Sequence, residues 1–185
     1  MKYEPFEPDK SWEEVHNGEV IPLYPRPTVF HNWVAANIGF QFACYLKGKD
    51  DYEIGFGTAL HLSEKDRFFP DVMVIRNRGN CKPQGIFGPP DLVVEVIAPQ
   101  TALRDRGYKL KAYGASGVRE YWIVDPVGES VEQYFRKDGA LEIAAVHTLL
   151  PEDLREEDYT TTFQCSLYDD LTLDLEDIFS KMIPD

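Results

Sequence analysis

Residues 89–99 read Pro89-Pro90-Asp91-Leu92-Val93-Val94-Glu95-Val96-Ile97-Ala98-Pro99, a run of branched apolar residues that prolines bound and one acid interrupts. A short apolar run of this kind between turn signals predicts a buried strand. An ionised carboxylate in apolar surroundings costs several kcal/mol or more when it has no partner. Glu95 therefore requires a cation, a hydrogen-bond donor or a metal ion beside it.

The composition predicts one compact domain. The chain has 185 residues, of which 43% are hydrophobic and 13% aromatic, enough for a substantial core and too apolar for a disordered chain. We expect residues 1–27 to form an N-terminal arm that packs on a single domain of residues 28–185. The arm is too rich in proline for a long helix, although residues 12–16 could make one helical turn before the break at Asn17-Gly18.

The cysteines and the hydropathy pattern predict a cytoplasmic protein. Cys44, Cys81 and Cys165 are odd in number and far apart, which favours a reducing compartment over a disulfide framework. No signal-peptide core opens the sequence, and the longest apolar helical stretch is interrupted by Asn37 and Gln41. We therefore expect no membrane partner.

Charge is distributed unevenly along the chain. The formal net charge of −13 argues against a nucleic-acid partner, because Lys and Arg supply most of the non-specific affinity for phosphate. Residues 65–119, however, hold ten basic residues against five acidic ones, a balance of +5, so the rest carries −18. This segment contains the buried acid and could bind an anion there; a solvated surface is the other interpretation.

Apolar periodicity predicts a mixed α/β (α+β) fold. Apolar residues recur every four positions from Thr28 to Leu46, which predicts a long helix. We expect strands at 53–62, 68–76 and 91–97, a loop at 77–89, a helix from Ala102 to Ser116 and a parallel strand at 119–125. Strands at 130–136 and 140–148 then extend the sheet as an antiparallel meander, followed by a short strand at 160–164 and a helix at 175–182.

Two acids on neighbouring strands are candidate metal ligands. Asp71 starts one apolar strand and Glu95 lies within the next, so both carboxylates could share a hard divalent cation, with the Val96 carbonyl as a third oxygen. Strand alternation also puts Asp91 on the Glu95 face, but four residues span about 13 Å. Asp91 is therefore a weaker candidate and fits the end of a loop better.

The helix after the central strand offers two lysines. Lys109 shares a face with Ala112 and Tyr113, whereas Lys111 aligns with Gly107, Tyr108 and Ala115. The face with Ala112 and Tyr113 is the one expected to point inward, and Lys109 with it. The alternative is a solvent-exposed pair of Asp105 with Lys109, worth about 0.3–0.5 kcal/mol.

Four segments together resemble the Uma-two family of restriction endonucleases, a branch of the PD-(D/E)xK nuclease superfamily. They are Phe69-Pro70-Asp71-Val72, Pro90-Asp91-Leu92-Val93-Val94-Glu95-Val96, Asp105 through Lys109 to Tyr113, and Gly117-Val118-Arg119-Glu120-Tyr121-Trp122-Ile123-Val124-Asp125-Pro126. The resemblance extends from about Gly18-Glu19 to Ile178-Phe179.

The resemblance implies a restriction-endonuclease-like mixed β-sheet flanked by helices, and a DNA endonuclease that uses Mg²⁺ or Mn²⁺. It implies Asp71, Glu95 and Lys109 as catalytic residues, with Asp71, Glu95 and Val96 as metal ligands. The superfamily lysine ordinarily lies two residues after the acid, where this chain has Ile97, so Lys109 would reach in from the helix instead. Secondary candidates are Glu19, His31, Asp91 and Asp105.

Two other interpretations remain open. The chain could be an inactive nuclease-like module that binds nucleic acid or a protein. Asp71 and Glu95 could alternatively be structural acids paired with Arg76 or Arg106. We also expect a homodimer through the edge of the meander, where aromatic residues could pair across a two-fold axis, namely Tyr121, Trp122, Tyr134 and Phe135.

Overall fold

Two six-stranded sheets form the body of the protein. The computed structural model describes residues 13–23, 26–49 and 52–181. The central sheet has the order β12-β11-β10-β9-β6-β3. Its strands are β3 (Glu53–Phe56), β6 (Val72–Ile75), β9 (Leu92–Val96), β10 (Glu120–Asp125), β11 (Ser130–Lys137) and β12 (Ala140–Thr148).

The second sheet has the order β2-β1-β5-β4-β8-β7. It consists of β1 (Glu13–His16), β2 (Glu19–Pro22), β4 (Leu60–Ser63), β5 (Asp66–Phe68), β7 (Cys81–Lys82) and β8 (Gly85–Phe87). A two-stranded ribbon of β13 (Thr162–Gln164) and β14 (Thr172–Asp174) follows later in the chain.

The central strand β9 is buried along its whole length, as its apolar sequence predicts. It runs parallel to β10 and antiparallel to β6, with Glu95 opposite Ile123. The strands β10, β11 and β12 form the expected antiparallel meander. The mixed sheet of the predicted fold is thus confirmed, whereas the second sheet was not foreseen.

Helices α1 to α4 and one π-helical segment flank the sheets. Helix α1 (Val29–Leu46) begins after Thr28, whose side chain accepts the His31 amide. The crossover between β9 and β10 comprises α2 (Ala102–Arg104), a π-helical segment (Asp105–Lys109) and α3 (Leu110–Ser116), and Gly117 ends it in a left-handed conformation. Helix α4 is Leu175–Phe179.

Several element boundaries differ from those predicted. The predicted strand at 53–62 is two strands, β3 and β4, because residues 57–59 turn between the two sheets. The predicted strand at 68–76 is likewise divided between β5 and β6, and the predicted loop at 77–89 contains β7 and β8. The last predicted helix ends at Phe179, and residue 182 lies outside the described residues.

The segment before Asn17-Gly18 is a strand, which corrects the predicted helical turn. Asn17 and Gly18 both have positive φ, 49° and 84°, and join β1 to β2 as a two-residue hairpin. Asn-Gly is favoured in such turns because both positions require φ above zero. Strand β1 also pairs with β5, so residues 13–22 belong to the second sheet. The division at residue 27 stays a prediction.

Each face of the central sheet carries its own core. Helix α1, helix α4 and the ribbon cover one face, where Phe42 packs near Trp122 with ring centroids 5.6 Å apart. The crossover helix and the second sheet cover the other face, around Tyr113 and Tyr121. Glu95 lies on this second face, together with Val93 and Ile97.

The Glu-Tyr-Trp motif at the start of β10 has a structural explanation. Glu120 is fully buried and accepts hydrogen bonds from Trp122 Nε1 at 2.6 Å, Gln133 Nε2 at 2.7 Å and the Ser166 amide at 2.9 Å. Tyr121 donates from its hydroxyl to the Asp105 carbonyl at 3.2 Å. The motif thereby attaches the C-terminal part of the chain and the π-helical segment to the central sheet.

Three of the four aromatic residues expected at a dimer surface lie in the core, whereas Phe135 is half-buried. Tyr121 and Trp122 have no exposed surface and Tyr134 retains 8%. No helix in the described part of the chain is long and apolar enough to cross a membrane.

Candidate active site

Glu95 is buried beside a lysine and a tyrosine. Lys109 Nζ lies 3.0 Å from Glu95 Oε1, and the Tyr113 hydroxyl donates to the same oxygen at 2.6 Å. Both donors come from the crossover helix, where residues four apart lie on one side. Among the described residues, both of these hydrogen bonds of Glu95 end on Oε1.

Lys109 contacts three carboxylates at once. Besides Glu95, its ammonium group lies 2.8 Å from Glu14 Oε1 and 3.4 Å from Asp105 Oδ1. The lysine side chain is only 5% exposed, which rules out the solvent-exposed pair with Asp105. The structure thus places Lys109 inward, whereas Lys111 is exposed.

The π-helical segment brings Asp105 and Lys109 to the site. Its turn is wider than an α-helical turn because hydrogen bonds close from i to i+5, and single π turns inside helices are frequent at functional sites. Both Asp105 and Lys109 are buried there. Two side chains of the central sheet hold the segment: Tyr121 binds the Asp105 carbonyl, and Glu132 pairs with Arg106 at 2.5 Å.

Glu14 is the site residue that sequence reasoning missed. It is 1% exposed and comes from β1 of the second sheet. Its Oε1 also accepts the Phe69 amide at 3.2 Å, and its Oε2 contacts His16 Nε2 at 2.9 Å. The available signal was Asn17-Gly18, which predicts a hairpin, but alternation alone would have turned Val15 inward, whereas the structure buries Glu14 and His16.

Asp71 approaches the site from the start of β6. Its Oδ2 accepts the Val96 amide at 2.7 Å and lies 3.4 Å from His31 Nε2 at the beginning of α1. Burial alone would lower the pKa of His31, but the hydrogen bond and the charge of Asp71 raise it above the ordinary 6.5. Val96 thus uses its amide to hold Asp71 in place.

Negative charge exceeds positive charge in this buried cluster. Burial raises the pKa of Glu95 well above 4.5, and the nearby carboxylates of Asp105 and Asp71 raise it further, against the opposing effect of Lys109. Burial would lower the pKa of Lys109, but the surrounding carboxylates raise it instead, so the ammonium group stays charged. One lysine therefore neutralises only part of the negative charge of several carboxylates. The cluster as a whole favours the binding of protons or further cations.

A cleft of about 1710 Å³ opens onto these residues and continues along α1. Asp71, Glu95 and Val96 all line it. Within residues 13–23, 26–49 and 52–181, no three His, Cys, Asp or Glu side chains converge as a metal site. Two carboxylates with excess negative charge nevertheless fit Mg²⁺, which commonly takes one or two protein carboxylates and completes its shell with water and substrate phosphate.

The remaining sequence candidates lie away from the cluster. Glu19 is exposed on β2. Asp91 stands at the opposite end of β9, where it accepts the Arg76 amide at 2.9 Å and lies 3.6 Å from Arg119. The proposed arginine partners of the two acids bind elsewhere: Arg76 donates to the Tyr52 hydroxyl and Arg106 to Glu132.

Comparison with known families identifies the chain. The family model Uma2, described as "Putative restriction endonuclease", matches residues 1–168. The chain belongs to the Uma2 family. A crystal structure described as a putative nuclease of the DUF820 family from Anabaena variabilis is similar in fold, with a TM-score of 0.70 over 94% of this chain and 93% of that one.

Sequence identity to that structure is 17%, so the likeness concerns the fold. No curated protein matches the chain. The restriction-endonuclease-like fold expected from the sequence is confirmed, and the family description makes nuclease activity the class of function to test in this Uma2 protein.

Replacing Glu14 by Gln should make stability less dependent on pH. Burial raises the pKa of Glu14, but the charge of Lys109 and hydrogen bonds from His16, Lys109 and Phe69 lower it from 4.5 to about 2. A lowered pKa stabilises the fold above pH 4.5, and that contribution is lost as the pH falls towards 2. We expect Glu14→Gln to lower the free energy of unfolding at pH 7 by about 1–3 kcal/mol.

Urea unfolding at several pH values checks this. The difference in the free energy of unfolding between Glu14→Gln and the parent should become smaller below pH 4.5, because the parent then loses the stabilisation that ionised Glu14 provides. A difference that stays constant down to pH 3 would contradict the assigned ionisation of Glu14.

Proposed function

We propose that this protein is a metal-dependent endonuclease that hydrolyses DNA phosphodiester bonds. The observation that carries the proposal is the buried excess of carboxylates around one lysine, at the end of a cleft in a restriction-endonuclease-like fold. Family membership supports the same activity class.

Asp71 and Glu95 would hold Mg²⁺ or Mn²⁺, with the Val96 carbonyl as a further oxygen. Each carboxylate has one oxygen bound by protein donors, and both side chains face the cleft. A divalent cation bound there supplies Lewis-acid polarisation of the scissile phosphate.

Lys109 would orient the attacking water and stabilise negative charge that develops on the phosphate. An ammonium group has three donors, and three carboxylate oxygens lie within 3.4 Å of it here. The contact with Asp105 is the longest at 3.4 Å, so it is the one that a water replaces at least cost. Asp105 would then accept a hydrogen bond from that water.

Plasmid nicking with Mn²⁺ tests the proposal. The parent protein should nick supercoiled DNA, and Asp71→Asn should reduce the rate by at least about 100-fold because it weakens metal binding. Asp91→Asn is the matched control, since this acid lies at the other end of β9, and it should cut like the parent. Equal cutting by Asp71→Asn and the parent would refute the assigned site.

A second candidate function is an inactive module that binds nucleic acid or a protein. Ile97 favours it, because this residue occupies the usual lysine position and is buried in the apolar core. Calorimetry with Mn²⁺ separates the two functions. Heat of binding that disappears in Glu95→Gln supports the enzyme, whereas no binding at millimolar metal supports the module.

We also propose that the protein acts in the cytoplasm as a homodimer. Cys44, Cys81 and Cys165 carry free thiols, which agrees with a reducing compartment. The outer strand of the meander, β12, exposes 57% of Ile143 and 56% of Val146, and an apolar edge strand readily pairs with a second copy.

Light scattering tests the dimer. The parent should have twice the monomer mass, and Ile143→Lys should halve it, because a charge on an edge strand opposes pairing. A monomeric parent at micromolar concentration would overturn this assignment without affecting the proposed chemistry.

A further inference from the structure

His16 lies directly behind the acid that holds Lys109. Glu14 and His16 are two residues apart on β1, so their side chains point to the same side of the strand. His16 Nε2 is 2.9 Å from Glu14 Oε2, and the two side chains are 8% and 1% exposed. This contact is therefore a buried one.

The proton in this contact can be assigned. The pKa of Glu14 is lowered to about 2, so its carboxylate is ionised at neutral pH and can only accept hydrogen bonds. His16 must then carry hydrogen on Nε2 and donate it. Among the described residues, Oε1 of Glu14 receives Lys109 and the Phe69 amide, whereas Oε2 receives His16 alone.

Aromatic rings on two sides fix the plane of the imidazole. Tyr108 stacks on it with centroids 5.0 Å apart and an interplanar angle of 13°, and Phe68 meets it edge-on at 5.1 Å. The Tyr108 hydroxyl is itself bound to Asp66 at 2.5 Å. The ring can hardly turn, so Nε2 stays directed at Glu14.

We propose that His16 is a positioning residue: its imidazole holds one oxygen of Glu14, so that the other oxygen fixes the ammonium group of Lys109. The inference rests on the proposed nuclease function and adds a residue from the second sheet to it. Hydrogen-bonded partners of this kind, one step removed from the reacting groups, typically alter activity by about 10- to 100-fold when they are replaced.

Three variants test this role through the kinetics of Mn²⁺-dependent nicking. His16→Leu should lower kcat by about 10- to 100-fold with little change in KM, because substrate contacts remain. His16→Gln keeps a side-chain N–H donor and should recover most of the loss. His61→Leu is the matched control: His61 also stacks on a ring in the second sheet, Phe87 at 4.4 Å, and should cut like the parent.

Equal losses in His16→Leu and His16→Gln would overturn the proposal, and so would an equal loss in His61→Leu. A double-mutant cycle of His16→Leu with Glu14→Gln, followed by urea unfolding, tests the contact without any activity. Non-additive changes in the free energy of unfolding support the contact between His16 and Glu14, and additive changes overturn it. If the parent fails to nick DNA, the proposed function fails, while the cycle still decides whether His16 holds Glu14.

Discussion

Glu95→Gln should abolish Mn²⁺-dependent nicking and, at the same time, stabilise the metal-free protein. The loss of activity should reach at least about 1,000-fold, since the variant removes a metal ligand and the charge that holds Lys109. Stability should rise by about 1–2 kcal/mol at pH 8, because functional sites commonly keep residues that destabilise the fold.

The gain in stability should depend on pH in a defined direction. The pKa of Glu95 is raised in the folded protein, mainly by burial. The unfolded chain therefore releases this proton at lower pH, and the parent loses stability as the pH rises above about 4.5. The advantage of Glu95→Gln should be small at pH 4 and grow towards pH 8.

Thermal unfolding with and without Mn²⁺ measures both effects. Mn²⁺ should stabilise the parent and leave Glu95→Gln unchanged. A variant that is less stable than the parent at pH 8 without metal would show that Glu95 is a structural acid fully satisfied by Lys109 and Tyr113.

Lys109→Met should have the second large effect, on both stability and catalysis. Within the described part of the chain, the ammonium group is the one basic group that contacts all three of Glu14, Glu95 and Asp105. Removing one member of a buried ion cluster typically costs about 3–5 kcal/mol, because charges are left buried without a partner. Nicking should fall by at least about 100-fold.

Lys111→Met provides the matched control. Lys111 is two residues away on the same helix and exposed, so its replacement should change stability by less than about 0.5 kcal/mol and leave nicking intact. Acidification to pH 5 should reduce the difference in the free energy of unfolding between Lys109→Met and the parent, because protonation of the buried carboxylates removes the charge that the variant leaves unpaired. Equal behaviour of the two lysine variants would contradict the assignment of Lys109.

Sequence reasoning located the two strands and the helix that carry the candidate site. Asp71 and Glu95 stood out because acids in apolar strands are costly, and Lys109 because it shares a helix face with Tyr113. These are local signals, each readable within a few residues. All three residues line the same cleft in the structure.

Glu14 and His16 could not be recognised in the same way. Glu14 lies in a polar segment, and its burial results from pairing of β1 with β5, more than fifty residues further along the chain. Sequence reasoning also chose Glu19, on the other side of the Asn17-Gly18 turn, which the structure leaves exposed. A hairpin prediction would have separated the two faces of β1, but not shown that the face with Glu14 and His16 is the buried one.

The π-helical segment has a consequence for insertions and deletions. An α-helix turns by about 100° for each residue, so removing one residue between Asp105 and Lys109 would turn Lys109 and Tyr113 by about that angle relative to Asp105. Lys109 and Tyr113 would then no longer point at Glu95 if Asp105 kept its place, although no residue type at the site would have changed. Here the number of residues between functional groups matters as much as their identity. Relatives of this protein that keep both the Asp and the Lys, but with different spacing, would need another way to place a basic side chain beside Glu95.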